Sequence, residues 1–306
     1  MSQVVVVRYA DPGGSEGISR QTCRTLLATG LQRLSGQSSV PAAVRKYLPS
    51  GVIGLKTNCL ARQFNSTPVT LTDALVDLLV EAGFSENDTV VWERTGRELA
   101  AAGYTLNAAS RGRRCLGTDT RGVGYSADLY TSGEVGSLVS RILTDMVDFN
   151  INIPVLKDHS IAGLSAGLKN MYGAVHNPNK YHDNNCDPYC AHVNNLDPIR
   201  RKTRLTVLAA MQVQYQGGPG YVGDYMAPYG GLLFSDDPVA VDRMGLEVLE
   251  YLRKKHGRPS LANVKRPVKY LDTAQQLGLG VAELDDIEIR VVSVDSRGHQ
   301  SEGKLL

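Results

Sequence analysis

The chain has 306 residues, 42% of them hydrophobic and 21% charged, a globular composition that excludes disordered, collagen-like and coiled-coil classes. Lys and Arg number 33 against 31 Asp and Glu, a net charge of +2, so bulk charge selects neither nucleic acid nor an acidic membrane surface. No apolar run approaches the roughly 18 residues needed to span a bilayer. Five cysteines (Cys23, Cys59, Cys115, Cys186, Cys190) are too few and too scattered for a disulfide framework in a chain this long.

Val4–Val7 reads as a strand closed by an Asp11-Pro12-Gly13-Gly14 turn, and Ile18 to Leu34 carries leucines at helical spacing. Val52–Lys56 reads as a buried strand and Cys59 to Thr67 as a polar loop, with Pro68 near a helix start. Leu71, Ala74, Leu75, Leu78, Leu79 and Ala82 then form one apolar helical face, stopped by Gly83, and Thr89–Trp92 is the next strand. This is a βαβ unit and predicts parallel strands.

Further on, Arg111 to Tyr125 reads as loop, its arginines 111, 113 and 114 a basic but solvated face. Ile142 to Phe149 reads as a helical patch and Ile153–Leu156 as a short strand. Ile161 to Tyr172, with glycines at 163, 167 and 173, reads as a closely packed helix or a loop–helix junction. Residues 176–198 form a polar tract without apolar period. Leu205–Ala210 is a strand, Gly217–Gly220 and Tyr229-Gly230-Gly231 are turns, Val239 to Lys255 is a helix capped from Ser235–Pro238, and Ile287–Val294 is a final strand. Alternating strands and helices predict an α/β fold with a mostly parallel or mixed sheet, divided into lobes 1–145 and 146–306 with a cleft between them.

The chemistry concentrates between Leu156 and His192. Four of the six histidines fall there (His159, His176, His182, His192), with Cys186, Cys190, Lys157 and Lys169. Ligands of open α/β sheets bind beyond the carboxyl ends of the strands. Lys157-Asp158-His159 and Asn58-Cys59 both follow predicted strands and are expected to converge there. Lys157, Asp158, His159 and Lys169 are the catalytic candidates, with Lys169 anchoring an anionic group and His159 or His182 serving as general acid–base. Asn58, Lys169, Asn170 and His176 are the cofactor-binding candidates. His182, Cys186 and Cys190 are spaced i, i+4, i+8, although Pro188 argues against a regular helix. Cys59, His182 and Cys186 are the candidate metal ligands, and cysteine with histidine suits zinc, iron, nickel or copper. The glycine-rich turns lack the strand-before, helix-after setting of a phosphate loop.

Several runs carry a resemblance: Gly54-Leu55-Lys56-Thr57-Asn58-Cys59-Leu60, Val91-Trp92-Glu93-Arg94-Thr95, Gly117 to Tyr125, Pro154 to His159, Lys169-Asn170, His176 to His182, Cys186 to Tyr189 and Asp237 to Arg243. In these the chain resembles the family catalogued as domain of unknown function 362, as a single unit over 1–306. Many members carry an iron–sulfur module, but this chain has no Cys-x-x-Cys-x-x-Cys run. Others resemble twin-arginine exported proteins. The sequence as it stands reads as cytoplasmic, with export the alternative if a leader has been removed.

More distantly, His159, Ala162 to Gly167 and Lys169 are similar to a motif of nickel-pincer-dependent lactate racemases, whose lysine carries the cofactor. The chain departs from that pattern at Asn58 to Arg62 and at Thr95 to Glu98. These readings imply an enzyme of redox or isomerase type acting on a small anion through a metal or small cofactor. The alternatives are a non-catalytic metal- or anion-binding protein and an assembly protein.

Overall fold

The structure is a computed structural model that describes residues 1–10 and 18–306; the Asp11–Gly14 turn lies outside the described residues. In chain order the elements begin β1 (Ser2–Tyr9), α1 (Arg20–Ser35), α2 (Val40–Tyr47), β2 (Ile53–Lys56), α3 (Val69–Glu81), β3 (Thr89–Glu93), α4 (Gly96–Ala101) and β4 (Arg114–Gly117). A small ribbon of β5 (Tyr130–Ser132) and β6 (Val135–Ser137) precedes β7 (Phe149–Asn152), β8 (Val155–His159), β9 (Gly163–Ser165) and α5 (Gly167–Asn170). The chain continues through α6 (Tyr189–Asn194), α7 (Asp197–Lys202), β10 (Thr203–Gln214), β11 (Met226–Ser235), α8 (Pro238–Lys255), α9 (Tyr270–Gln276), β12 (Ile287–Val294) and β13 (Gln300–Glu302).

The βαβ unit forms as the periodicity predicts. β2 and β3 pair in parallel from Ile53 opposite Thr89 to Lys56 opposite Trp92, and α3 joins them. One eleven-stranded sheet runs β13-β12-β1-β11-β10-β7-β2-β3-β4, with β8 and β9 attached beside β10. The pairs β2–β3, β2–β7, β3–β4, β7–β10, β8–β10 and β1–β12 are all parallel, so the α/β fold is mixed and mostly parallel. Because β1 pairs with both β11 and β12, strands from either side of residue 145 share this sheet, and the expected lobes 1–145 and 146–306 do not separate there.

Side-chain alternation divides the core by sheet face. Val5, Val7, Leu55, Val91, Val207 and Phe234 join one apolar cluster with α1, α2 and α3. Their neighbours Val4, Val6, Leu208 and Leu233 face α8, while Val90 and Trp92 face the cluster that includes Cys186 and Cys190.

Several local expectations change. β7 ends at Asn152 and β8 begins at Val155, because Pro154 offers no N–H to continue the ladder. Lys157-Asp158-His159 are therefore the last residues of a strand rather than a loop after one. β4 occupies part of the supposed loop 111–125, and Tyr229-Gly230-Gly231 lies inside β11, whose partner shifts register between Ala210 and Gln212. Residues 142–146 form one π-helical turn before β7.

Gly30 sits where α1 crosses β11, and a Cβ there would lie 2.3–2.5 Å from the buried Phe234 ring. Gly30→Ala gains about 1 kcal/mol of helix propensity but overpacks by roughly 1–3 kcal/mol. Chemical denaturation is expected to show a net loss, where a purely local helix effect would give a gain.

Candidate functional site

The carboxyl ends of β2, β3 and β8 open into a cavity of about 500 Å³ lined by Asn58, Glu93, Arg94, Lys157, His159, Lys169, Asn170, Tyr172 and His182, among others. Period-two alternation along β8 sends Lys157 and His159 into it and Asp158 away. Asp158 lies behind the strand, 2.8 Å from Arg266 and 3.4 Å from Arg253, and accepts the Gly218 N–H. The catalytic expectation for Asp158 is thereby corrected: its carboxylate is a structural clamp facing away from the cavity.

A directional hydrogen-bond chain organises the floor. Lys157 Nζ donates to Asn58 Oδ1 at 2.8 Å, and Asn58 Nδ2 donates to Asn170 Oδ1 at 3.0 Å. Asn170 Nδ2 then donates to Asn152 Oδ1, and Asn152 Nδ2 to the Gly167 carbonyl, each at 2.8 Å. With a lysine donor at one end and a carbonyl acceptor at the other, each amide has one workable orientation. Burial pushes the Lys157 ammonium down to about 8, with Cys59 and Glu93 acting in the opposite sense.

Lys169 comes from the single helical turn of α5. Asp242 of α8 holds that turn by accepting the Gly167 and Leu168 N–H groups at 2.6 and 2.8 Å, one carboxylate satisfying two helix-end donors. Burial raises Asp242 to about 7 against the pull of those two bonds. Lys169 Nζ lies 2.9 Å from His182 Nε2 and 3.7 Å from the centre of the Tyr172 ring, and burial lowers its pKa. Among the described residues neither Lys157 nor Lys169 has a carboxylate within ion-pair reach. The buried Lys56 does, meeting Glu93 at 2.9 Å. Gly173 passes so close to that pair that a Cβ would lie 2.9 Å from Lys56 Nζ.

The two histidines have opposite tautomers, assigned from their partners. His159 Nδ1 accepts the N–H groups of Ile161 and Ala162, both at 3.1 Å, which places its proton on Nε2. His182 Nδ1 faces the Pro178 and Asn179 carbonyls and must donate, leaving Nε2 to accept from Lys169. The rings stack with centroids 5.7 Å apart. Burial, then the charges of Lys169 and His182, drives His159 down to about 2, so it is neutral at any working pH.

The other sequence candidates lie elsewhere. His176 is exposed against Tyr125, outside the cavity lining, so it does not serve the cofactor-binding role expected of it. His192 meets Ser132. Cys59 is buried in the cluster on the α1–α3 face, whereas Cys186 and Cys190 are buried on the opposite face of the sheet. No helix carries His182, Cys186 and Cys190 together, and none of these thiols lines the cavity. Burial raises Cys59 to about 12 and shifts Cys186 and Cys190 upward as well. Among the described residues no three His, Cys, Asp or Glu side chains gather as metal ligands. With His159 Nδ1 and His182 Nε2 already engaged, the residues present do not fit a transition-metal ion.

Sequence reasoning missed Glu93, Arg94, Glu98 and Tyr172 as lining residues. The position of Glu93 at the end of β3, beside the end of β2, was the available signal. A larger cavity of about 590 Å³ beside α1 and α3 has no Lys, Arg, His, Asp or Glu among its described lining residues.

Residues 53–247 match the family described as Domain of unknown function (DUF362). The chain belongs to this family. Every residue named as lining the 500 Å³ cavity falls inside the DUF362 match. No curated protein matches the chain. Among solved structures, it is similar to a structural-genomics crystal structure of a Thermotoga maritima protein at 13% identity and a TM-score of 0.44. The alignment covers 80% of this chain and 60% of that one, so the DUF362 chain spans about 60% of the length of that relative. No helix among the described residues is long and apolar enough to cross a membrane.

Two outcomes follow from this geometry. Asp242→Ala strands two buried N–H groups and is expected to lower unfolding free energy by roughly 2–4 kcal/mol, measured by denaturant titration. Lys157 is a cation below its lowered pKa and neutral above it. Affinity for a small carboxylate, followed by calorimetry, should therefore fall as pH rises through about 8. An ordinary lysine would sustain it to about 10.

Proposed function

We propose that this DUF362 protein is an enzyme of isomerase or racemase type, moving a proton on a small anionic substrate held in the 500 Å³ cavity. The observation that carries this reading is the buried Lys169 amine, 2.9 Å from a histidine nitrogen that can only accept, in a cavity that also contains Lys157. Lys157 supplies a positive charge for a carboxylate or comparable anion, and its hydrogen bond to Asn58 fixes where that charge sits. Lys169, its ammonium disfavoured by burial, serves as the base, and His182 Nε2 receives a hydrogen bond from it throughout. His159, neutral with its proton on Nε2, offers a hydrogen bond to the negative charge that develops when the proton leaves, and the proton returns from the Lys169 ammonium.

The thiolate roles have no part in this scheme, because Cys59 and Cys186 do not line the cavity. The nickel cofactor of the racemases is not carried over, for want of free donor nitrogens. Arg94 meets Glu98 at 2.7 Å and Lys56 meets Glu93, whereas Lys157 and Lys169 have no carboxylate partner among the described residues.

The test is solvent exchange. Small 2-hydroxy and 2-amino acids are incubated with the protein in deuterated water, and loss of the α-proton signal is followed by NMR. Exchange with at least one acid is expected, dropping by about 100-fold or more in Lys169→Met and in His159→Gln. Binding without exchange would replace the enzyme reading by that of an anion-binding protein, and absence of binding would remove both.

A further inference from the structure

Behind β8, on the opposite side of the strand from Lys157 and His159, lies a second cavity of about 440 Å³, which shares only Ser160 with the lining of the first. Its lining includes Asp158, Ser160, Gln216, Arg253, Arg258 and Arg266. Three guanidiniums there face one carboxylate. Glu250 approaches Arg253 Nε at 4.0 Å but is not part of the lining.

The three arginines differ in how fully the protein uses them. Arg253 is buried and well satisfied: it donates to the Pro259 carbonyl from Nε and Nη2, and to the Tyr215 carbonyl and Asp158 from Nη1. It is a structural member. Arg266 uses Nη1 alone, on Asp158 Oδ1 at 2.8 Å and on the His159 carbonyl at 2.9 Å. Its Nε and Nη2 have no partner among the described residues. Arg258 stacks at 5.1 Å over Tyr225, and its buried Nε donates to nothing among the described residues. A buried N–H without an acceptor is rare in a folded chain. Here two incompletely used guanidiniums border the same cavity, and Asp158 together with the more distant Glu250 leaves one of the three positive charges unbalanced.

We propose that this cavity is a binding site for a small dianionic oxyanion of the phosphate class, recognised by Arg258 and Arg266. A planar guanidinium presents parallel N–H groups that match two oxygens of a phosphoryl group. The volume accommodates phosphate together with a short organic substituent. The site lies outside the family match in its arginines, all three of which follow residue 247. It also touches the first cavity mechanically. Arg266 joins Asp158 to the His159 backbone, and Asp158 holds the Gly218 N–H next to Pro219, which lines the first cavity. An anion on the free Nε and Nη2 of Arg266 leaves its Nη1 on Asp158 and on the His159 carbonyl.

The experiment is calorimetric titration of the whole chain with inorganic phosphate and, separately, with glycerol 3-phosphate, in a buffer free of competing oxyanions. Saturable binding at millimolar concentration or below is expected. Arg258→Met removes the guanidinium that lies over Tyr225 and is expected to weaken binding about tenfold or more, and Arg258→Lys by less, since it keeps charge but loses the fork. Lys157→Met should leave this binding unchanged. Tighter binding of the ester assigns a phosphomonoester and equal binding assigns the free oxyanion; both support the site. Absence of saturable binding would overturn it. So would binding indifferent to Arg258→Met, or binding lost in Lys157→Met, which would place the anion in the first cavity.

Discussion

Burying a lysine without a carboxylate is costly, and much of this protein's centre is arranged around that cost. Lys157 is fully buried, and its partners are neutral oxygens, the Asn58 amide at 2.8 Å and the Asn65 carbonyl at 3.3 Å. Neutral partners stabilise the ammonium less than a carboxylate does, which is why its proton is held weakly. Each amide engaged by this lysine must then find its own donor and acceptor. That requirement ties the loop after β2, the end of β7 and the helical turn of α5 into one hydrogen-bonded row. Breaking any member leaves a buried polar atom unpaired, so the row behaves as a unit.

The second lysine is treated differently. Lys169 faces a ring and a histidine nitrogen rather than amides, and the α5 turn that presents it is anchored from a distant helix by Asp242. Position and charge are thus controlled separately: Asp242 fixes where the amine sits, and the apolar cluster around Tyr172 disfavours its protonation. Nearby, Lys56 has a full carboxylate partner in Glu93 and serves the architecture. Three buried lysines in one region therefore divide into one paired with a carboxylate and two whose partners are neutral.

β8 is the hinge between the two polar regions. Its alternating residues point Lys157 and His159 to one side and Asp158 to the other, so each side of a single five-residue strand carries charge. The arginines behind it neutralise Asp158 and brace the His159 carbonyl, which keeps the ring that faces the front cavity in register.

The sequence alone determined the α/β class, the β2–α3–β3 unit and the long helix α8, because each rests on local periodicity and local caps. It also expected Asn58-Cys59 and Lys157-Asp158-His159 to converge, since strand ends of a parallel sheet share an edge. It could not tell which of the clustered titratable groups share that space. Cys59 and Cys186 looked like partners in sequence yet lie on opposite faces of the sheet, a consequence of side-chain alternation once strand order is known. Asp158 differs from its neighbours only by one step of the same alternation, and Pro154 decides where that step begins. The pairing of Lys56 with Glu93, the anchoring of α5 by Asp242 and the arginines behind β8 join residues 37 to 108 positions apart. No local pattern encodes contacts at that separation; packing the helices onto both faces of the sheet creates them.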